Sequence, residues 1–169
     1  MTIRNARIIT PDSIVDGNEV VVTGDRISAI RPQTHGGVGG NNGEGIDGEQ
    51  VIDARGAWLI PGLIDIHADY IEHMAAPRPT SVMDFRLSLR EAERELITHG
   101  ITTMFHSLAI YDFSEFMPSP IRSPEATQRL ISLIDATHHA EHLIRHRFHA
   151  RFEIDNVNRV EELRGYIDE

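Results

Sequence analysis

The spacing of apolar residues divides the chain into two parts that differ in predicted secondary structure. Over the first 60 residues, short apolar runs alternate with tight turns such as Gly24-Asp25, which is typical of a small β region. The predicted strands cover Ile3 to Thr10, Glu19 to Thr23, a segment containing Ile27 and Ile30, and Val51 to Leu59. Residues 1–60 are therefore predicted to be one structural region.

A glycine-rich segment interrupts these strands. Residues 35–50 hold 7 glycines among Asn, Asp and Glu. Such a composition buries too little apolar area to offset the entropy of ordering, so it predicts a flexible surface loop. A phosphate-binding loop would need a strand before it and a helix after it, and the sequence predicts neither.

Beyond Pro61 the pattern changes to strands that alternate with helices, and this continues to the last residue. The predicted strands are Leu63 to Asp69, Ile101 to Ser107 and Arg147 to Ile154. The predicted helices run from a capping box at Ser88–Glu91 to Gly100, from Ser123-Pro124 to about Arg145, and through Val157, Val160, Leu163 and Ile167. Alternating βα units imply parallel strands, and three of them predict the beginning of a TIM-type (β/α)8 barrel over residues 61–169 that is truncated.

The first barrel strand ends in residues that can bind a metal. Asp65, His67 and Asp69 share one face of the strand, while Ile64 and Ile66 share the other, because side chains alternate along a strand. Barrels of this type place their chemistry at the carboxyl ends of the strands. His67 and Asp69 are therefore either two ligands of a divalent metal or an ordinary hydrogen-bonded surface pair.

The third strand carries a second polar face. Arg147, His149, Arg151 and Glu153 alternate with apolar residues, and such a face is costly unless its charges are paired or bind something. One interpretation is an edge strand with a solvated face. The other is a barrel wall on which Glu153 reaches the same centre as His67 and Asp69, while Arg151 binds an anion.

Other histidines are open to simpler interpretations. His138 and His142 are four residues apart on the predicted helix, where they could chelate a metal, but a solvated helix face is the favoured interpretation. His106, near the end of the second strand, fits a core position or one behind the metal site equally well. His73 is either a site residue or a surface residue.

The overall composition excludes several classes of function. A formal net charge of -10 argues against nucleic acid as a partner, because phosphate backbones are bound by clustered Lys and Arg. The absence of Cys excludes disulfides and thiolate metal sites. No signal sequence or run of about 18 apolar residues is present, so a cytoplasmic protein without a membrane partner is expected.

Several motifs together resemble one family of hydrolases. Pro-Gly-Leu-Ile-Asp-x-His at 61–67 resembles the amidohydrolase superfamily, whose members combine a metal-bearing barrel with a small β-sandwich. The chain is also similar to the N-terminal part of the α-D-ribose 1-methylphosphonate 5-triphosphate diphosphatases of the carbon–phosphorus lyase pathway. Four segments carry this similarity: the run from His67 to Glu72, Pro77-Arg78-Pro79, Gly100 to Thr103, and His149-x-Arg151-x-Glu153. Tyr70 and His106 depart from the family pattern, which usually has Asn and often Asp at these positions.

The resemblance implies a fold, a reaction and a set of site residues. Residues 1–60 would be the N-terminal part of the β-sandwich, and the barrel would bind a divalent metal, zinc foremost, with manganese, iron or magnesium as alternatives. The implied residues are the metal ligands His67, Asp69 and Glu153, the phosphate-binding Arg78 and Arg151, and second-shell positions at Glu72, His106 and His149. The implied substrate is a phosphorylated small molecule from which water displaces pyrophosphate.

Two alternatives remain at the level of sequence. One is another amidohydrolase reaction on C–N bonds, although those relatives generally have His-x-His at the position of His67-x-Asp69. The other is a truncated, non-catalytic remnant, since the strands that should bring further ligands are not in this chain. Three parallel strands would leave open edges and unmatched apolar side chains such as Leu63 and Met104, so a homo-oligomer or association through these edges is expected.

Overall fold

The structure is a computed structural model that describes residues 1–33, 43–44, 50–110, 119–153 and 156–168. The chain divides into two compact units, Met1–Pro61 and Gly62–Glu169. The first unit contains β-strands and the second contains strands that alternate with helices. The predicted flexible loop of residues 35–50 lies mostly outside the described residues. No helix among the described ranges is long and apolar enough to cross a membrane.

The first unit contains two small sheets around a core of Ala6, Ile8 and Val20. Its strands are β1 (Thr2–Arg4), β2 (Arg7–Ile9), β3 (Ile14–Val15), β4 (Asn18–Thr23), β5 (Arg26–Pro32), β6 (Gly43–Glu44), β7 (Gln50–Asp53) and β8 (Trp58–Leu59). One sheet has the order β5-β4-β1-β7-β6 and the other has the order β3-β2-β8. The sequence therefore predicted the β character of this unit correctly.

Two of the predicted strands are interrupted where the backbone has a positive φ. The single strand expected over Ile3 to Thr10 is wrong, because Asn5 has φ of 54° and separates β1 from β2. The Asn5 side chain donates to the Asp53 carboxylate at 2.9 Å, which holds this turn. The strand expected over Val51 to Leu59 is likewise interrupted by Arg55 and Gly56, at φ of 50° and 82°.

A buried carboxylate ties together three strands of the larger sheet. Glu19 on β4 is fully buried and accepts hydrogen bonds at 2.8 Å from Arg4 on β1 and from Arg31 on β5. Burial alone would raise the pKa of Glu19, but the bonds from Arg31 and Arg4 outweigh it and hold the pKa below its usual value. The carboxylate is therefore charged in the folded protein.

The second unit is built on a parallel sheet in the order β11-β10-β9. Its strands are β9 (Leu63–Ala68), β10 (Ile101–Ile110) and β11 (Arg145–Phe152). β10 lies in the middle and pairs with β11 without interruption from Thr103↔Arg145 to Ile110↔Phe152. The sequence predicted all three strands and their parallel pairing, although β10 extends three residues beyond the expected end at Ser107.

Four α-helices of the described residues lie in this unit. They are α1 (Tyr70–Ala75), α2 (Phe85–Thr98), α3 (Pro124–Ala136) and α4 (Val160–Asp168). α2 begins one turn earlier than expected, because Asp84 rather than Ser88 caps it by accepting from the Leu87 amide at 2.9 Å. Gly100, at φ of 78°, follows the helix end as predicted. Buried residues of α1, α2 and α3, among them Ile71, Leu89 and Leu130, pack with β10 into one core.

The long helix expected from Pro124 to about Arg145 is wrong. α3 ends at Ala136, a 3-10 turn covers Thr137–His139, and β11 has already begun at Arg145. His142 therefore lies in a loop, and His138 lies in the 3-10 turn. The expected solvated helix face does not exist.

The two apolar side chains that were expected to lack an opposing wall, Leu63 and Met104, differ in burial. β9 forms an edge of its sheet, and Leu63, Ile64 and Ile66 are 51%, 62% and 69% exposed. Met104, expected to lack an opposing wall, is instead only 1% exposed within the core. The expectation of an unmatched apolar side chain therefore agrees with the exposure of Leu63 and is wrong for Met104.

Candidate functional site

The carboxyl ends of β9 and β11 are connected by a single guanidinium. Arg151 Nη1 donates to both carboxylate oxygens of Asp69 at 2.9 and 3.0 Å, and its Nε donates to Glu153 Oε1 at 3.1 Å. These three side chains are 23%, 37% and 37% exposed, so the cluster is partly shielded from solvent. Asp69 and Glu153 therefore both form ion pairs with the guanidinium of Arg151.

The middle strand permits this connection because its side chains opposite His149 and Arg151 are small. Arg151 and His149 pair in register with Ala109 and Ser107 of β10, both of which are buried. His149 Nδ1 lies 2.9 Å from the carbonyl oxygen of Ile66, on the far side of β10. Two side chains of β11 therefore reach across β10 to β9.

His149 also contacts the first predicted metal ligand. Its ring meets the His67 ring edge-on, with 4.7 Å between centroids. A carbonyl oxygen only accepts hydrogen bonds, so His149 carries its proton on Nδ1 when neutral, which leaves Nε2 as an acceptor. His149 can therefore accept a proton from a bound group or water.

The predicted metal ligands do not converge in this arrangement. His67, Asp69 and Glu153 do not form a group of three close ligand atoms among the described residues, and Arg151 is bound to both carboxylates. The strand-end residues as arranged do not fit a metal ion, because the positive charge between the carboxylates is already provided by the guanidinium. Their assignment as ligands stays a prediction.

A cavity of about 440 Å³ opens beside Asp69. Arg78 and Arg122 line it, and Arg122 donates to the Glu72 carboxylate at 2.8 Å. Glu72 is buried on α1, and Arg78 is exposed on the loop that follows. Glu72, His73 and Arg78 thus line one cavity together with Asp69, and Glu72 binds Arg122. Their roles in the site stay predictions.

His106 lies on the other face of the sheet. Its side chain is fully buried, and its Nε2 is 2.8 Å from Nδ1 of His146, with the two rings stacked at 5.1 Å. Burial lowers the pKa of His106 to about 3, so it is neutral. Of the two roles that the sequence left open, the structure supports the core position. His106 has the strand parity of Met104 and Leu108, which face the helices, so its side chain lies on the face opposite to those of His149 and Arg151.

A polar cluster that the sequence did not predict lies next to His106. Glu93 of α2 is bound by His142 Nδ1 at 2.9 Å, by the Leu143 amide at 3.1 Å and by His146 Nε2 at 3.3 Å. Burial would raise the pKa of Glu93, but these hydrogen bonds, that of His142 foremost, hold it below its usual value. Two histidines and one carboxylate with close ligand atoms fit a divalent metal ion.

Comparison with known proteins confirms the resemblance inferred from the motifs. The chain is 26% identical over 155 residues to α-D-ribose 1-methylphosphonate 5-triphosphate diphosphatase of Escherichia coli (strain K12), which is 91% of this chain and 37% of that protein. It is 29% identical over 107 residues to adenine deaminase 3 of Rhizobium meliloti (strain 1021), which is 62% of this chain and 15% of that protein. No family model matches the chain.

A solved structure shows the fold. N-acetylglucosamine-6-phosphate deacetylase from Pasteurella multocida superimposes with a TM-score of 0.57 at 18% identity, over 83% of this chain and 31% of that one. The chain has an α/β fold of the kind found in amidohydrolases. It spans about a third of the length of the diphosphatase that it matches, at 37%.

Proposed function

We propose that this chain is part of a hydrolase of the amidohydrolase superfamily that cleaves a phosphoric anhydride bond. The proposed substrate is α-D-ribose 1-methylphosphonate 5-triphosphate or a close analogue, from which water displaces pyrophosphate during organic phosphonate catabolism. The similarity to the diphosphatase along 91% of the chain supports this proposal. The proposed β-sandwich and partial barrel follow from the same similarity.

The observation that carries the proposal is the arginine-lined cavity beside the strand ends. Its volume of about 440 Å³ is within the range of about 300–1,000 Å³ that is common for small-molecule sites. Arg78 is exposed at its wall, and a guanidinium can bind phosphate oxygens through two parallel hydrogen bonds. A strongly anionic ligand therefore has a cation to bind in a chain whose formal net charge is -10.

The neighbouring residues have different roles in this proposal. Arg122 is paired with Glu72, so it supports the cavity wall without adding net charge there. His149 supplies the acceptor Nε2 that can take a proton from an attacking water. Arg151 must exchange its carboxylates for phosphate if it is to bind substrate, and the same exchange would be needed before Asp69 and Glu153 could bind a metal. We therefore derive no metal-dependent step.

A second candidate is hydrolysis of a C–N bond, which the similarity to adenine deaminase 3 favours. A purine base carries no phosphate, so this reaction gives Arg78 no ligand charge to neutralise. Binding of a polyphosphate and binding of adenine therefore distinguish the two candidates.

The proposal is tested by titrating inorganic tripolyphosphate into the full chain in a calorimeter. We expect Arg78→Ala to weaken binding about tenfold, which corresponds to about 1.4 kcal/mol and is the low end for a charged hydrogen bond at an exposed site. Arg90→Ala is the matched control, because Arg90 is also an exposed arginine but lines a different cavity.

Equal losses in both variants would mean that only net charge matters and would contradict the proposed site. A chain that binds adenine but not tripolyphosphate would support the C–N reaction instead.

A further inference from the structure

A second group of possible ligands lies at the opposite end of the parallel sheet. Glu93 comes from the middle of α2, His142 from the loop before β11, and His146 from the second residue of β11. The Arg151 cluster lies at the other end of the same strand. Glu93 and His146 are buried, and His142 keeps 19% of its side chain exposed.

The spacing of the three ligand atoms is that of a metal site. Glu93 Oε2 is 2.9 Å from His142 Nδ1 and 3.3 Å from His146 Nε2, and one ligand atom from each of the three residues lies within 4.8 Å of the other two. Bonds of about 2.0–2.1 Å in a tetrahedral zinc site place neighbouring ligand atoms about 3.3–3.4 Å apart. Little side-chain movement is therefore needed to place an ion between them.

We propose that Glu93, His142 and His146 bind a zinc ion through one carboxylate oxygen and two imidazole nitrogens. Three protein ligands leave a fourth position, which a water molecule fills in sites of this kind. A cavity of about 600 Å³ adjoins His142 and His146 and gives that position room. The ion would tie the start of β11 to α2.

His106 provides the support that a metal-binding histidine requires. Such histidines engage their second ring nitrogen with a fixed partner, which sets the tautomer and the ring orientation. His146 has that partner, because its Nδ1 lies 2.8 Å from Nε2 of His106, and the two rings are stacked. The other ring nitrogen of His106 is buried without a hydrogen-bond partner among the described residues. Among the described residues, His146 is therefore the one hydrogen-bond partner of the His106 ring.

The competing interpretation is a purely structural cluster in which imidazole N–H groups donate to Glu93. In that case the carboxylate holds the loop through His142, the Leu143 amide and His146, and a metal adds nothing. The two interpretations differ in one measurable property, which is the specific affinity of the full chain for zinc.

Zinc chloride is titrated into the full chain by calorimetry, and cobalt is used as a spectroscopic probe. We expect one high-affinity ion per chain and, with cobalt, the visible absorption band of a tetrahedral nitrogen and oxygen site. Glu93→Gln and His142→Ala should each weaken zinc binding at least about tenfold, since changes to supporting residues alone reach about 10–100-fold. His142 is the second variant because it lies in a partly exposed loop, so its replacement is compatible with folding even if that of Glu93 is not.

Two matched controls make the assignment specific. His139→Ala removes an exposed histidine of the neighbouring 3-10 turn, and Glu91→Gln removes a partly exposed carboxylate from the same helix as Glu93. Both should keep the affinity of the wild-type chain. The proposal is overturned if Glu91→Gln abolishes binding while His142→Ala does not, or if zinc binds the wild-type chain no more tightly than the His142→Ala variant. Neither result depends on polyphosphate binding.

Discussion

Replacing Arg151 by Met tests whether one guanidinium holds the ends of β9 and β11 together. Methionine keeps an unbranched stem of similar length but removes the charge and every donor. Asp69 and Glu153 then lose the three hydrogen bonds of 2.9, 3.0 and 3.1 Å, and two carboxylates are left near each other. The second unit should be less stable.

The size of the loss follows from the geometry and the exposure of the cluster. Exposed ion pairs contribute about 0.2–1 kcal/mol each, and the partial shielding of Arg151, which is 23% exposed, places these pairs at the upper end of that range. Asp69 and Glu153 are each 37% exposed, so the full strength of a buried charged hydrogen bond does not apply. Two pairs together give an expected loss of about 1–2 kcal/mol. Arg151→Lys should lose about half of this, because an ammonium lacks the planar fork but can still pair with one carboxylate.

The assay must report on the second unit alone. All α-helices of the described residues lie in the second unit, whereas Trp58, the one tryptophan in the sequence, lies in the first. Urea unfolding followed by the helical circular dichroism signal therefore reports on the Arg151 cluster, and Trp58 fluorescence serves as an internal reference. Arg164→Met is the matched control, since the Arg164–Glu161 pair of α4 is 67% and 82% exposed and should contribute almost nothing.

Three results would contradict this reasoning. Arg151→Met could match the wild-type unfolding free energy within about 0.3 kcal/mol, a loss smaller than the ion pairs predict. Arg164→Met could lose as much stability as Arg151→Met. The loss could also appear in Trp58 fluorescence alone, which would assign it to the wrong unit.

Two further predictions concern other positions. Glu19→Gln should destabilise the first unit at neutral pH. In the wild-type chain, the stabilisation by Glu19 should be present above the unfolded pKa of the carboxyl group and be lost as the pH falls through the lower folded pKa. Urea unfolding followed by Trp58 fluorescence between pH 7 and 3 checks this, and a Gln variant with the same pH profile as the wild-type chain would contradict it. Gly62→Ala should cost about 1–3 kcal/mol, because its Cβ would lie 2.1–2.7 Å from side-chain atoms of Thr102. Thr102→Ala in the same chain should restore only part of the loss, since the Thr102 Cβ is itself one of the clashing atoms at 2.7 Å; full recovery in urea unfolding, or no loss in Gly62→Ala alone, would argue against this contact.

Regular alternation made the parallel sheet predictable from sequence. The polar face of β11 follows from a period of two, and it correctly indicated that His149, Arg151 and Glu153 lie together. The partner of Arg151 was harder to foresee, because it depends on the small residues of β10 that let the side chain reach Asp69. The alternation of side chains along one strand predicts which residues share a face, but not which residues of the next strand but one they contact.

The Glu93 cluster could not be read from local pattern, because its members are 49 and 53 residues apart in sequence. One signal was present, since Glu93 lies between Leu89 and Leu96 on the apolar side of α2, where a charged residue needs a partner. His142 was wrongly predicted to lie on a helix, because its spacing of four residues from His138 fits a helical period. The helix in fact ends at Ala136. Ile64 and Ile66 show the same limit, as an apolar pattern identifies a strand without showing whether it lies at an edge.

The sequence separation within the Glu93 cluster also has a kinetic consequence. Closing a loop of about 50 residues costs entropy before any contact forms, so such contacts tend to form after the local helix turns. A contact that is absent from the folding transition state affects mainly the rate of unfolding. The contacts of Glu93 should therefore lower the unfolding rate of the second unit and leave its folding rate almost unchanged.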